Sequence, residues 1–222
     1  MAEEKKVRGV VVEFDFAVLD GSALLFDVAK KVLAGVGIDF TKKLEALHLA
    51  GGNYQGALAE LFEKTGCKAD AAQVARELGD AFKAAVAEKA PAAATGAFKE
   101  FVKAVVAKDV KVVVATRGDA DALAAALEGT GATVCADVSA TYGCAKWDAW
   151  RRVCHANGFV DVLTAGVTGS GHGVKAALLA GLSALAVVHE HVAYQDFGGA
   201  DAVVDQLDAK AAKEILRMLK IA

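Results

Sequence analysis

The chain has 222 residues, 25 of them basic and 28 acidic for a net charge of −3, with 55% hydrophobic and 24% charged residues. That length suits one domain, or a core domain with an insertion, and the apolar content is enough for a buried core and too high for a disordered chain. No basic block favours nucleic acid, no apolar run approaches the ~20 residues that cross a bilayer, and the charged start runs into a strand without the apolar stretch of a signal peptide. The four cysteines, Cys67, Cys135, Cys144 and Cys154, make no CxxC pair and read as reduced thiols of a cytoplasmic protein.

Val7 to Phe14 is a β-branched run that reads as a buried strand of a parallel sheet. Ala23 to Val36 follows with helical spacing (Leu24, Leu25, Val28, Val32, Leu33) and ends at Gly35 and Gly37. Between Phe40 and Ala90 the apolar residues keep the helical period, as in Leu58, Leu61, Phe62 and Val74, Leu78, Phe82, Val86, which predicts about four helices by that spacing. Pro91, the only proline, stands where this insertion returns to the core. Strand and helix then alternate: helix 98–107, strand 110–115, helix 119–127, a short strand from Val134, helix 147–157, strand 160–167, helix 173–180, strand 182–188, strand 202–204 and helix 209–219. Such alternation predicts an α/β fold, a Rossmann-like parallel sheet flanked by helices, with an α-helical cap inserted after the first strand. The expected division is a core of 1–20 and 91–222 and a cap of 21–90.

In such sheets ligands sit at the carboxyl ends of the strands. Glu13 and Asp15 end the first strand and share a face by its period of two. Two carboxylates there can hold a metal or divide nucleophile and acid/base roles, or they are ordinary solvated acids. Thr116, Arg117 and Gly118 follow the next strand, where a hydroxyl and backbone N–H groups form an anion site, or where Thr116 caps the next helix. Lys146, next to a helix start, reads as an exposed lysine when taken alone. Thr168 to Gly173 is a glycine-rich turn between strand and helix, a phosphate cradle in outline, with neither P-loop nor GxGxxG spacing. His189 and His191 form an HxH pair without a third ligand in view, which favours a loop without metal.

Taken together these strand ends resemble the haloacid-dehalogenase-like hydrolase superfamily, in the subgroup of phosphoglycolate phosphatase and β-phosphoglucomutase with a helical cap. Val11 to Asp20 (VVEFDFAVLD) fits the frame of the first motif, Thr116 the second, Lys146 the third, and Val174 to Gly181 (VKAALLAG) the helix of the fourth, with Thr95-Gly96 in the place of a Pro-Gly step. The resemblance implies catalytic positions at Glu13, Asp15, Thr116 and Lys146 and ligand contacts at Arg117, Gly118, Gly169 and Ser170. It also exposes departures. Glu13 stands where the family has its nucleophilic aspartate, Phe16 and Ala17 replace a glycine and a threonine, and Gly169 replaces a Mg²⁺-binding aspartate. Mg²⁺ needs near-octahedral oxygen ligands at ~2.0–2.1 Å, so no cofactor is expected beyond weak Mg²⁺ binding. The resemblance therefore implies a hydrolase relative, phosphatase-like, with lost or strongly reduced Mg²⁺-dependent activity. An active hydrolase using Glu13 and Asp15 in unusual chemistry, or a module binding a small phosphorylated or anionic molecule, are the alternatives. Charge balance predicts that Lys146 pairs directly with Glu13. The segment Gly51-Gly52-Asn53-Tyr54 is the part of the cap expected to face the site.

Overall fold

The structure is a computed structural model and describes residues 7–49, 54–94, 96–136 and 146–221. Six strands form one sheet: β1 (Val7–Glu13), β2 (Lys111–Thr116), β3 (Thr133–Ala136), β4 (Phe159–Thr168), β5 (Ser183–Val187) and β6 (Ala202–Val204). Their order is β3-β2-β1-β4-β5-β6 and every pairing is parallel. The chain crosses from one half of the sheet to the other between β1 and β4, so the crevice at their carboxyl ends is the natural ligand position.

The period of two along the strands sorts the core into two layers. Val10, Val12, Val112, Val114, Ala165, Val167, Leu185 and Val187 face one side, where they join α6 (Ala97–Val106), the last helix (Ala209–Met218) and the cap. Val11, Val113, Ala184 and Ala186 face the other side, against α8 (Lys146–Ala156) and α9 (Gly171–Leu179). Gly166 sits in this second layer because a side chain there would press on Ala177 Cβ at 3.0 Å and the Trp150 ring at 3.3 Å.

After β1 the chain makes one helical turn, α1 (Phe14–Ala17), and then enters α2 (Gly21–Ala34), capped by Asp20 accepting from the Ala23 N–H. A short α3 (Lys42–Leu44), a π-helical turn (Glu45–Leu49), α4 (Tyr54–Thr65) and α5 (Ala71–Ala93) complete the cap. Its apolar face (Leu58, Leu61, Phe62, Leu78, Phe82, Val86) is buried in the same cluster as the sheet residues, so cap and core share one continuous hydrophobic interior. Pro91 does not end the last helix of the cap. It lies in the last turn of α5, where the proline forfeits only the bond to the Ala87 carbonyl and the helix continues to Ala93. Two further helices, α7 (Ala120–Ala126) and α10 (Ala209–Met218), start at Asp119 and Asp208, whose carboxylates accept from the first free N–H groups. Among the described residues no helix is long and apolar enough to cross a membrane.

Candidate functional site

The strand ends at Glu13 and the backbone turns helical at once, so Glu13 and Asp15 do not share a strand face. The turn sends the two carboxylates to different neighbours. Glu13 leans towards β4 and α8: its Oε1 lies 2.5 Å from Lys146 Nζ, and its Oε2 accepts a hydrogen bond from the Thr168 hydroxyl. The contact with Lys146 is an ion pair without hydrogen-bond alignment. Asp15 leans towards β2: Oδ1 accepts from the Thr116 hydroxyl at 2.6 Å and Oδ2 from the Arg117 N–H at 2.7 Å. Glu13 is 5% exposed, and Asp15 and Thr116 are 1% exposed. These are not solvated strand-end acids but buried charges, which persist only when paired and hydrogen-bonded.

Lys146 is the first residue of α8, with a side chain 17% exposed. The exposed position expected of a lone lysine is corrected by its carboxylate partner, and its ammonium also lies 5.3 Å from the Phe16 ring centroid. An ammonium at a helix start is unfavourable for the helix dipole, and the pair with Glu13 supplies the compensating contact. Thr116 does not cap the next helix. Asp119 does, and Thr116 instead donates to Asp15 while its oxygen accepts from the Gly118 N–H at 3.0 Å. The anion site foreseen after β2 thus holds an anion, namely the Asp15 carboxylate of the same chain.

The glycine-rich turn is filled in a similar way. Ser170 caps α9 by accepting from the Gly173 N–H at 3.0 Å, and the Gly171 N–H donates to the Gln195 side chain at 2.9 Å. Two donors that would cradle a phosphate are therefore spent within the protein. Gly169 packs against the chain after β1: a Cβ there would lie 2.5 Å from the Phe16 carbonyl carbon and nearer still to its oxygen. Gly173 is likewise closed, since a Cβ would overlap the Thr168 hydroxyl and meet Ser170 Oγ at 2.9 Å. No carboxylate at position 169 could be added without moving the Phe16–Ala17 backbone.

The cap seats directly on this region. Arg117 donates from Nη1 to the Tyr54 hydroxyl at 3.0 Å, and its guanidinium carbon lies 5.6 Å from the Phe16 ring, 6.0 Å from Tyr54 and 6.0 Å from Phe82. The Phe16 and Phe82 rings are 5.8 Å apart. At Gly118 a Cβ would meet Val86 Cγ1 at 2.9 Å and the Ala87 nitrogen at 3.2 Å, so α5 rests on the bare backbone there. Of the segment expected to face the site, Tyr54 does so; Gly51, Gly52 and Asn53 lie outside the described residues, as does Thr95 of the Thr95-Gly96 step. Thr168, which the sequence offers only as the start of the glycine-rich turn, supplies a buried hydrogen bond to Glu13. Its position at the end of the strand beside β1 was the available signal. His191 of the HxH pair contacts the Glu45 carboxylate. Among the described residues no three His, Cys, Asp or Glu side chains lie close enough to hold a metal.

The Mg²⁺ implied by the resemblance does not fit this arrangement. Every oxygen of Glu13 and Asp15 has a protein partner, one of them an ammonium, and the third carboxylate position is a glycine with no room for a side chain. A divalent cation would have to displace Lys146 and would find too few oxygen ligands.

No protein-family model matches the sequence and no curated protein matches it. Solved structures match its fold over nearly the whole chain. A β-phosphoglucomutase from Clostridium difficile superposes with a TM-score of 0.72 at 14% identity, covering 95% of this chain and 97% of that one. CbbY from Rhodobacter sphaeroides, in complex with phosphate, gives 0.66 at 16% identity over 90% and 95%. A HAD-family hydrolase from Deinococcus radiodurans, with bound phosphate and sodium, gives 0.58 at 19% identity over 99% and 100%. The chain therefore has the haloacid-dehalogenase-like fold of the helical-cap, β-phosphoglucomutase type, with a lysine–glutamate ion pair buried at the carboxyl end of its first strand.

Proposed function

We propose that this chain is a non-catalytic relative of the haloacid-dehalogenase-fold phosphatases, in which the carboxylates at the end of β1 tie the fold together. The observation that carries this reading is the Lys146–Glu13 contact of 2.5 Å beneath the Thr168 hydroxyl bond. A nucleophilic carboxylate needs a free oxygen aimed at substrate, and phosphoryl transfer in this fold relies on a bound metal to neutralise its developing charge. Here one Glu13 oxygen faces an ammonium and the other a hydroxyl, while Asp15 is held by Thr116 and Arg117. The cap closes over them through Arg117, Phe16, Tyr54 and Phe82. Binding of a phosphorylated ligand at the Ser170 turn is the weaker reading, because Gln195 and Ser170 already take the Gly171 and Gly173 donors. The test is turnover of p-nitrophenyl phosphate with Mg²⁺ by the wild type and by Glu13→Gln. The reading predicts equal, background rates. Turnover by the wild type that Glu13→Gln abolishes would make Glu13 a working nucleophile or base and overturn it.

A further inference from the structure

Away from the β1 crevice, cap and core meet along a seam whose two sides are built differently. On the β5 side, Glu45 begins the π-helical turn of the cap, and His191 lies in a short 3-10 helix (Glu190–Val192) that follows β5. His191 Nε2 is 3.0 Å from Glu45 Oε1 and 2.9 Å from Oε2. The side chains are 8% and 6% exposed, and the Phe26 ring of α2 lies 5.5 Å from the imidazole between centroids. The nitrogen facing both oxygens carries hydrogen, since two acceptors would repel, and a neutral imidazole already supplies that N–H. The contact is thus a buried hydrogen bond to a carboxylate, and its loss leaves a charge in the interior without its donor.

On the β2 side the seam is not filled. A groove of about 650 Å³ lies between α5 and the start of α7, lined by Asp80 and Lys83 from the cap and by Gly118, Asp119 and Asp121 from the core. Three carboxylates and one ammonium give its two walls no net attraction. The hydrogen bond that crosses the seam nearby, from Arg117 to the Tyr54 hydroxyl, is only part-buried, so water replaces it at lower cost than it replaces the Glu45 contact. The sheet order sets β2 and β5 on opposite sides of the β1–β4 crevice. We propose that Glu45–His191 is a clamp that pins the cap to the core on the β5 side, and that the α5–α7 side is the free edge of the seam, where the cap parts from the core first.

The experiment is hydroxyl-radical footprinting of the full chain in rising urea below the unfolding midpoint, with oxidation mapped by peptide mass spectrometry. It is read at Phe26, beside the clamp, and at Phe82, which faces Phe16 and Arg117 across the other side of the seam. Phe101 of α6, fully buried, is the reference for global unfolding. Each rate is taken relative to its own value without urea. The clamp predicts that Phe82 labelling rises several-fold at urea concentrations where Phe26 and Phe101 do not change, a local opening that precedes the global one. In Glu45→Ala the order is lost and Phe26 rises together with Phe82, while Glu45→Gln, whose amide oxygen still accepts from the imidazole, keeps the wild-type order. His191→Ala is expected to behave as Glu45→Ala and decides alone if that variant fails to fold. A wild type in which Phe26 rises with or before Phe82, or in which all three rise together, overturns the proposal. So does an unchanged order in the alanine variants, or a Glu45→Gln protein that behaves as Glu45→Ala. None of these results bears on whether Glu13 turns over a phosphate.

Discussion

Replacing Lys146 by methionine separates a buried structural ion pair from a catalytic one. Methionine keeps most of the length and the contact with Phe16 but removes the ammonium 2.5 Å from Glu13 Oε1. Glu13, 5% exposed, then keeps the Thr168 hydroxyl and loses its paired cation. Breaking a buried pair by removing one partner costs ~3–5 kcal/mol, because a charge stays in the interior. For a chain of this size each kcal/mol moves Tm by ~2–4 °C, so the variant melts on the order of 10 °C lower. Glu13→Gln added to Lys146→Met removes the stranded charge, and the double variant regains most of the loss. The non-additive remainder of the cycle measures the pair. Thermal unfolding of wild type, both single variants and the double variant by circular dichroism reads all four corners. A Lys146→Met protein that melts within 1 °C of wild type, or a double variant no better than Lys146→Met, would refute the reasoning.

Gly169→Ala introduces a Cβ against the Phe16 carbonyl, and overpacking of this kind costs ~1–3 kcal/mol or more, visible as a lowered urea midpoint; an unchanged midpoint would mean that the β1–β4 crevice is looser than its geometry. Tyr54→Phe removes the acceptor of Arg117 and lowers stability by ~0.5–1.5 kcal/mol, with faster exchange in α4 but not in α8. Cys154, fully buried, has its thiol pushed up to about 12, first by desolvation and then by the Asp161 charge. It therefore resists alkylation at about pH 8 in the native state and reacts only on unfolding, a difference that peptide mass mapping detects.

The sheet was legible because its strands are short apolar runs set between helical segments, and Ala202–Val204 was read to the residue. The cap was legible through its helical period, although the continuation of α5 through Pro91 to Ala93 was not, since a proline in a last turn gives up a single bond. What sequence could not supply was pairing over distance. A lone lysine reads as exposed until Glu13 is placed beside it, and Thr116 reads as a cap until Asp15 claims its hydroxyl. The pairing of Lys146 with Glu13 followed from charge balance at a buried strand end. Glu45 carries no local signal and His191 reads only as half of an HxH pair, because their contact joins the cap to the turn that follows β5.

The central claim is that a lysine ammonium, and not a divalent cation, balances the Glu13 charge at the end of β1. Calorimetric titration of the wild-type protein with Mg²⁺ tests it most directly. The account predicts no binding tighter than about a millimolar, since the oxygen ligands are too few and already engaged. Tighter binding by the wild type that Glu13→Gln removes would contradict it.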